Sequence, residues 1–200
     1  MIRLIGLVLL AVAVLGLTAP AHANVIEYIA TLSGPAENPS NASPGTGNTI
    51  VDFDNVAHTL RVRVNFSGLT SGTTASHIHA PATPPTGTAG VATTTPTFAN
   101  FPLGVLSGTY DNTLDLTQTS SYNPAYVTAN GGTTGSAETA LTTALAAGQA
   151  YLNIHTTNFP GGEIRGFLVP VPEPSSLALL GTAVLGALAA ARRRAARTRA

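Results

Sequence analysis

The sequence predicts an all-β fold with one short helix, arranged as an antiparallel β-sandwich or a small Greek-key barrel. Three observations point there. Residues 59–66 alternate strictly, Leu60, Val62, Val64 and Phe66 against Arg61, Arg63 and Asn65, which is the period-two pattern of a half-buried strand. Roughly seven short segments of strand character are separated by turn-rich loops, as in sandwiches and barrels. Strand and helix do not alternate often enough to build a parallel sheet.

Taken in order, residues 25–32 form the first strand, with Tyr28 and Ile29 at its centre. Residues 38–48 are a loop punctuated by Pro39, Pro44, Gly45 and Gly47. A short strand at 49–53 turns through 54–58 into the alternating strand 59–66, giving a hairpin. Residues 76–80 form another short strand, and 81–90 a Pro/Thr/Gly loop without core-forming side chains. Residues 107–116 read as a strand, and 120–136 as a polar, Gly-rich stretch broken at Gly131-Gly132. The one helix is 137–147, with Ser136 as its N-cap and Gly148 as its stop. Strands at 149–156 and 162–170, joined by 157–161, complete the domain.

Both hydrophobic ends lie outside that domain. Residues 1–23 carry Arg3, an apolar run over 4–17 and Ala21-His22-Ala23 before Asn24, the layout of a secretory signal peptide with a small-residue cleavage site. Residues 171–200 carry Pro172-Glu173-Pro174, an apolar run over 177–191, and then Arg192, Arg193 and Arg194, with Arg197 and Arg199 beyond. As a helix the run measures about 22 Å at ~1.5 Å per residue. A hydrocarbon core is about 30 Å thick, so a short transmembrane segment there needs Ser175, Ser176 and the arginine stems to extend it. The arginines form a stop-transfer flank that stays cytoplasmic, and an ordinary C-terminal membrane anchor fits the same residues. The folded domain is therefore 24–170.

The formal net charge of zero hides an acidic domain. Only Arg61, Arg63 and Arg165 remain within it, against Glu27, Glu37, Asp52, Asp54, Asp111, Asp115, Glu138 and Glu163, and the chain has no lysine. Such a surface repels a phosphate backbone, which argues against nucleic acid as a partner. With no cysteine there is no thiol nucleophile and no redox pair.

The Pro-Glu-Pro triplet, apolar run and terminal arginines, in that order, resemble the PEP-CTERM sorting signal. The resemblance implies that exosortase and the secretion machinery are partners. It also implies passage through the inner membrane by the C-terminal segment, removal of the tail, and release to the cell surface or matrix. Two further segments carry the domain's identity: Ser76-His77-Ile78-His79-Ala80-Pro81, and Ala150-Tyr151-Leu152-Asn153-Ile154-His155-Thr156 followed by Pro160-Gly161-Gly162-Glu163-Ile164-Arg165-Gly166. Together they resemble the CHRD domain, over roughly 26–168. The stretch 91–134 is longer and more polar than the family pattern. The resemblance implies a β-rich extracellular module without a defined activity. It points to a structural or ligand-binding role in the extracellular matrix or biofilm, with polysaccharide or matrix components as partners.

Side chains two apart in a strand share a face, so His77 and His79 point together, as do Tyr151, Asn153 and His155. Where those strands meet, three imidazoles converge. A His-x-His with a distant third histidine is a donor set that copper or zinc can use, with Glu163 or water completing the shell. The alternative function is thus a mononuclear copper or zinc protein, or an oxidoreductase. The arrangement is loosely similar to the copper-site strand of Cu/Zn superoxide dismutase, but four domain histidines and no bridging ligand do not make a two-metal site. The plainer reading of the same histidines is a polar cluster that bonds to Thr156 or to backbone and holds the loop beginning at Pro81. Glu163 and Arg165, also two apart, read either as site residues or as an ion pair on the sheet surface. His58 falls in a turn and reads as solvated. No catalytic set is assigned, since serine and aspartate are too scattered to form a triad.

Replacing Pro172, Glu173 and Pro174 by alanine should leave export intact and block tail processing, so that full-length protein accumulates in the inner membrane. Intact-mass analysis of surface material from the native host checks this. Residues 175–200 still attached to the wild-type protein would show that the tail is not processed.

Overall fold

The computed structural model describes residues 25–171, and everything below concerns those residues. The expected leader over 1–23, the sorting motif at Pro172, Glu173 and Pro174, the apolar run 177–191 and the terminal arginines lie outside them. No helix among the described residues is long and apolar enough to cross a membrane.

Eight antiparallel strands form one sheet: β1 (Val25–Ser33), β2 (Thr46–Asp54), β3 (Thr59–Ser67), β4 (Thr73–His79), β5 (Gly108–Asp115), β6 (Tyr151–Thr156), β7 (Ile164–Phe167) and β8 (Val169–Pro170). Their lateral order is β4-β6-β7-β1-β2-β3-β5, with β8 also lying on β1. The expected antiparallel β architecture is thus present, as a single sheet curled into a half-barrel. Two helices, α1 (Pro124–Ala129) and α2 (Thr134–Ala146), precede β6.

β3 behaves as its alternation requires. Leu60, Val62, Val64 and Phe66 are buried, while Arg61 and Asn65 are exposed and Arg63 is half-exposed. It pairs along its length with β2 on one side and β5 on the other. Its turn with β2 is closed by the Asp54 carboxylate, which accepts from the backbone N–H of Val56 and Ala57, both at 2.9 Å. One contiguous core joins Leu32, Val51 and Val62 to Ile78, Leu152, Ile154 and Ile164 from the other arm of the sheet.

Where β7 meets β1 the pairing is thin. Ser33 opposes Arg165 at one end, and β8 takes over opposite Tyr28 and Ile29 at the other. A Cβ at Gly166 would collide with the Thr31 carbonyl, so only glycine allows β7 to approach β1 this closely.

Several boundaries differ from the sequence reading. β2 starts at Thr46 and β4 at Thr73, earlier than propensity suggested, because tertiary pairing carries polar residues into the ladder. The segment expected as one strand over 162–170 is two short ones. α2 begins at Thr134, and its N-cap is Thr133. Ser136 sits three residues on and answers it in a reciprocal capping box. α1 was not anticipated in 120–136. It is capped by the Asn123 side chain, with Pro124 in its first turn, and it buries Tyr126. The loop 81–90 is largely exposed as expected, apart from the buried Ala82, but the chain just beyond it is not. Phe98 and Phe101 stack within 5.6 Å of Tyr110 and Phe66 respectively and close one end of the core.

Val64 is 3% exposed and lies among apolar neighbours. Val64→Asp should cost several kcal/mol, as an unpaired charge is buried. Arg63→Asp loses an exposed-side pair with Asp52 at 2.7 Å and should cost about 1 kcal/mol. Urea midpoints of the two variants provide the check, and equal losses would remove the assignment of faces to β3.

Candidate metal centre

β4 and β6 bring the three histidines together. Their register sets His79 opposite Tyr151, His77 opposite Asn153 and Ala75 opposite His155. Directly opposed residues share a sheet face, so both strands present their polar residues on one side while Ile78, Leu152 and Ile154 fill the core on the other. Ring centroids are 4.8 Å apart for His77 and His155, 5.3 Å for His77 and His79, and 6.1 Å for His79 and His155. His77 and His79 are buried and His155 is partly buried.

Each ring is pinned by one backbone carbonyl at 2.9 Å. His77 Nε2 meets Pro96 O, His79 Nδ1 meets Ala89 O, and His155 Nδ1 meets Pro160 O. A carbonyl only accepts, so the proton of each neutral imidazole sits on the pinned nitrogen. The other nitrogens, His77 Nδ1, His79 Nε2 and His155 Nε2, are then lone-pair acceptors. All three are buried and receive no hydrogen bond from the described residues. One nitrogen from each ring lies within 4.8 Å of the other two. Burial is the main force holding His77 and His79 down to about 4, and charge on the neighbouring imidazoles adds to it for both. His155 is lowered as well, again by burial. Neutral imidazoles with one nitrogen tied to a carbonyl and the other free are the form in which histidine binds metal.

Glu163 does not join them. Its carboxylate is fully buried and accepts from the Ser43 hydroxyl (2.6 Å), the Thr70 N–H (2.7 Å) and the Thr156 hydroxyl (2.5 Å). Burial alone would raise its pKa, but these hydrogen bonds outweigh that and hold it below the usual carboxylate value. Arg165 does not pair with Glu163, and neither lies on an exposed surface, so the two do not form the expected ion pair on the sheet surface. The buried Arg165 guanidinium donates to the carbonyls of Ala36 (2.5 Å), Gly87 (3.1 Å) and Thr86 (3.3 Å). It lies 4.8 Å over the Tyr151 ring, which in turn stacks on His79 with centroids 4.7 Å apart and planes 4° from parallel. His58 lies apart, 2.9 Å from Glu138, rather than merely solvated.

Sequence reading missed Glu37. It is buried beside Arg165, with Nε and Oε2 3.9 Å apart, and burial raises its carboxyl to about 7 despite the guanidinium. A side chain at Gly162 (φ +130°) would strike both Glu37 Oε1 and the Asn153 amide, which gives the Gly-Gly pair its reason. Glu37 lies far from the other residues in sequence, and no local pattern marks it. The one available signal was a carboxylate in a domain with only three arginines.

A protein-family model for the CHRD domain matches residues 28–168, and one for the PEP-CTERM protein-sorting motif matches 170–194. Neither a search of curated proteins nor one of solved structures returned a match.

The buried groups predict a pH profile for the metal-free protein. Between about pH 4.5 and 6.5 the unfolded chain protonates His77 and His79 while the native state does not. Over the same window the native state keeps a proton on Glu37 that the unfolded chain releases. The difference is about one proton taken up on unfolding, so stability should fall as pH falls, by roughly 1.4 kcal/mol per pH unit, with His155 adding in the same direction. Glu37→Gln removes the opposing proton and should make the slope about twice as steep. Urea titrations at several pH values test this, and parallel profiles for wild type and variant would contradict it.

Proposed function

The chain belongs to the CHRD domain family and carries an exosortase sorting motif, which makes it an exported protein sorted to the cell surface; from that premise we propose that its β domain holds one copper or zinc ion between His77, His79 and His155. The observation that carries this reading is the set of three buried lone pairs, each left without a protein donor while the opposite nitrogen is fixed by a carbonyl. An unpaired buried acceptor costs about 1–3 kcal/mol. Three side by side are a poor device for stability and a suitable one for a cation. Glu163 is committed to hydroxyl and N–H donors, so it is no part of the shell. Such an ion would supply a Lewis-acidic or redox-active centre. On this reading the protein works outside the cytoplasm, at the surface or in the matrix, after its tail has passed through the inner membrane by residues 177–191.

A structural role has its own support. The three carbonyls belong to the loop between β4 and β5 and to the turn between β6 and β7, so the histidines also fasten those segments to the sheet. The two roles are compatible, and metal uptake separates them. Purified, chelator-stripped protein dialysed against zinc or copper at neutral pH should retain one ion per chain by mass spectrometry. His155→Ala, at the least buried of the three, should reduce this at least tenfold while the protein stays folded. Folded wild type that retains no ion would leave the fastening role alone.

A further inference from the structure

We propose that the ion this site is built for is cuprous copper, held by three histidine nitrogens with no fourth ligand; the proposal rests on the metal-site reading above. The first reason is charge. The donors are three neutral imidazoles, and among the described residues no carboxylate joins them within ligand distance. A divalent ion there would carry its full double charge into a buried place. The solvation energy lost on burial grows with the square of the charge, so a monovalent ion costs roughly a quarter as much.

The surroundings do not make up the deficit. The charged group that reaches this face over Tyr151 is a cation, Arg165. Its neighbour Glu37 faces the guanidinium, and Glu163 is consumed by Ser43, Thr70 and Thr156. Neither acid is grouped with the three histidines as a ligand.

The second reason is coordination number. Zinc in proteins is almost always four-coordinate, and a three-histidine zinc site keeps a water as the fourth ligand. Here solvent reaches none of the three lone-pair nitrogens. Zinc would have to take up a water where none of the three nitrogens is open to solvent, whereas a d¹⁰ cuprous ion is satisfied by three donors. The sequence has no cysteine, and its one methionine is Met1, far from the histidines in sequence and outside the described residues, so the thiolates and thioethers that usually select this ion are not in the site. Selection falls to low charge and low coordination number.

Competition titrations of the chelator-stripped protein decide the matter. Cuprous ion is titrated anaerobically against bicinchoninate, and zinc against a fluorescent chelator, both at neutral pH. The expected result is one cuprous ion per chain, bound at least 100-fold more tightly than zinc, with X-ray absorption showing three nitrogen neighbours. Asn153→Asp places an anion opposite His77 and should narrow that preference at least tenfold, provided circular dichroism shows the variant folded. Zinc bound as tightly as cuprous ion, four nitrogen or oxygen neighbours around copper, or an unchanged ratio in folded Asn153→Asp overturns the proposal. Stoichiometric zinc without cuprous binding overturns it while leaving the metal site standing. Uptake of neither ion overturns both.

Discussion

The register between β4 and β6 is the constraint on which the rest of the molecule depends. Side chains alternate across a strand, so a slip of one residue would turn His77 and His79 into the core and bring Ile78 out beside the loops. What prevents the slip is the apolar face. Ile78, Leu152 and Ile154 all sit in a core shared with the far arm of the sheet, and a one-residue slip would carry Ile78 out of it. The histidine cluster is positioned from behind, by hydrophobic burial, and only then trimmed from the front by carbonyls.

Two buried ionic groups frame that face, and they work differently. Glu163 is satisfied by hydrogen bonds alone and draws together Ser43, Thr70 and Thr156 from three separate parts of the chain. Arg165 is also satisfied, mostly by carbonyls of the loops at 36 and 86–87, with Glu37 as a more distant partner. Removing Glu163 would leave the buried Ser43 and Thr156 hydroxyls without their acceptor, which is costlier than losing an exposed ion pair. The Gly-Gly-Glu-Ile-Arg-Gly run is thus a string of separate constraints: clearance for Glu37 and Asn153 at Gly162, loop anchors at Glu163 and Arg165, and strand approach at Gly166.

Much of this was legible from sequence, for local reasons. The alternation in β3 announces both its faces, and His77-x-His79 with His155 on a strand of its own needs only the side-chain period and one pairing to predict convergence. The less legible parts are those decided at a distance. Glu163 looked like a neighbour of the histidines because it is near in sequence, but the turn at Gly162 sends its carboxylate to Ser43 and Thr70 instead. Arg165 looked like a surface residue because arginine usually is one, yet Ala36, Thr86 and Gly87 supply acceptors that no pattern around residue 165 reveals. α1 was missed although Asn123-Pro124 is a local start signal, because six residues with a single buried side chain leave almost no periodicity to read. Phe98 and Phe101 sit in a stretch whose threonines and prolines masked its core contribution.

The seam at β7 and β8 has a mechanical consequence. β8 is two residues long and is the last strand among the described residues, where the match to the sorting motif begins. Any tension arriving from the C-terminal side falls on it first, and it would peel from β1 like the end of a zipper, one bond at a time. β7 comes next, held to β1 by a single opposed pair but to β6 by four. A pull would therefore have to undo the pairs of β7 with β6, starting at Phe167, before it loaded the ladder between β4 and β6. The short terminal strand acts as a fuse, and the histidine face lies on the far side of it.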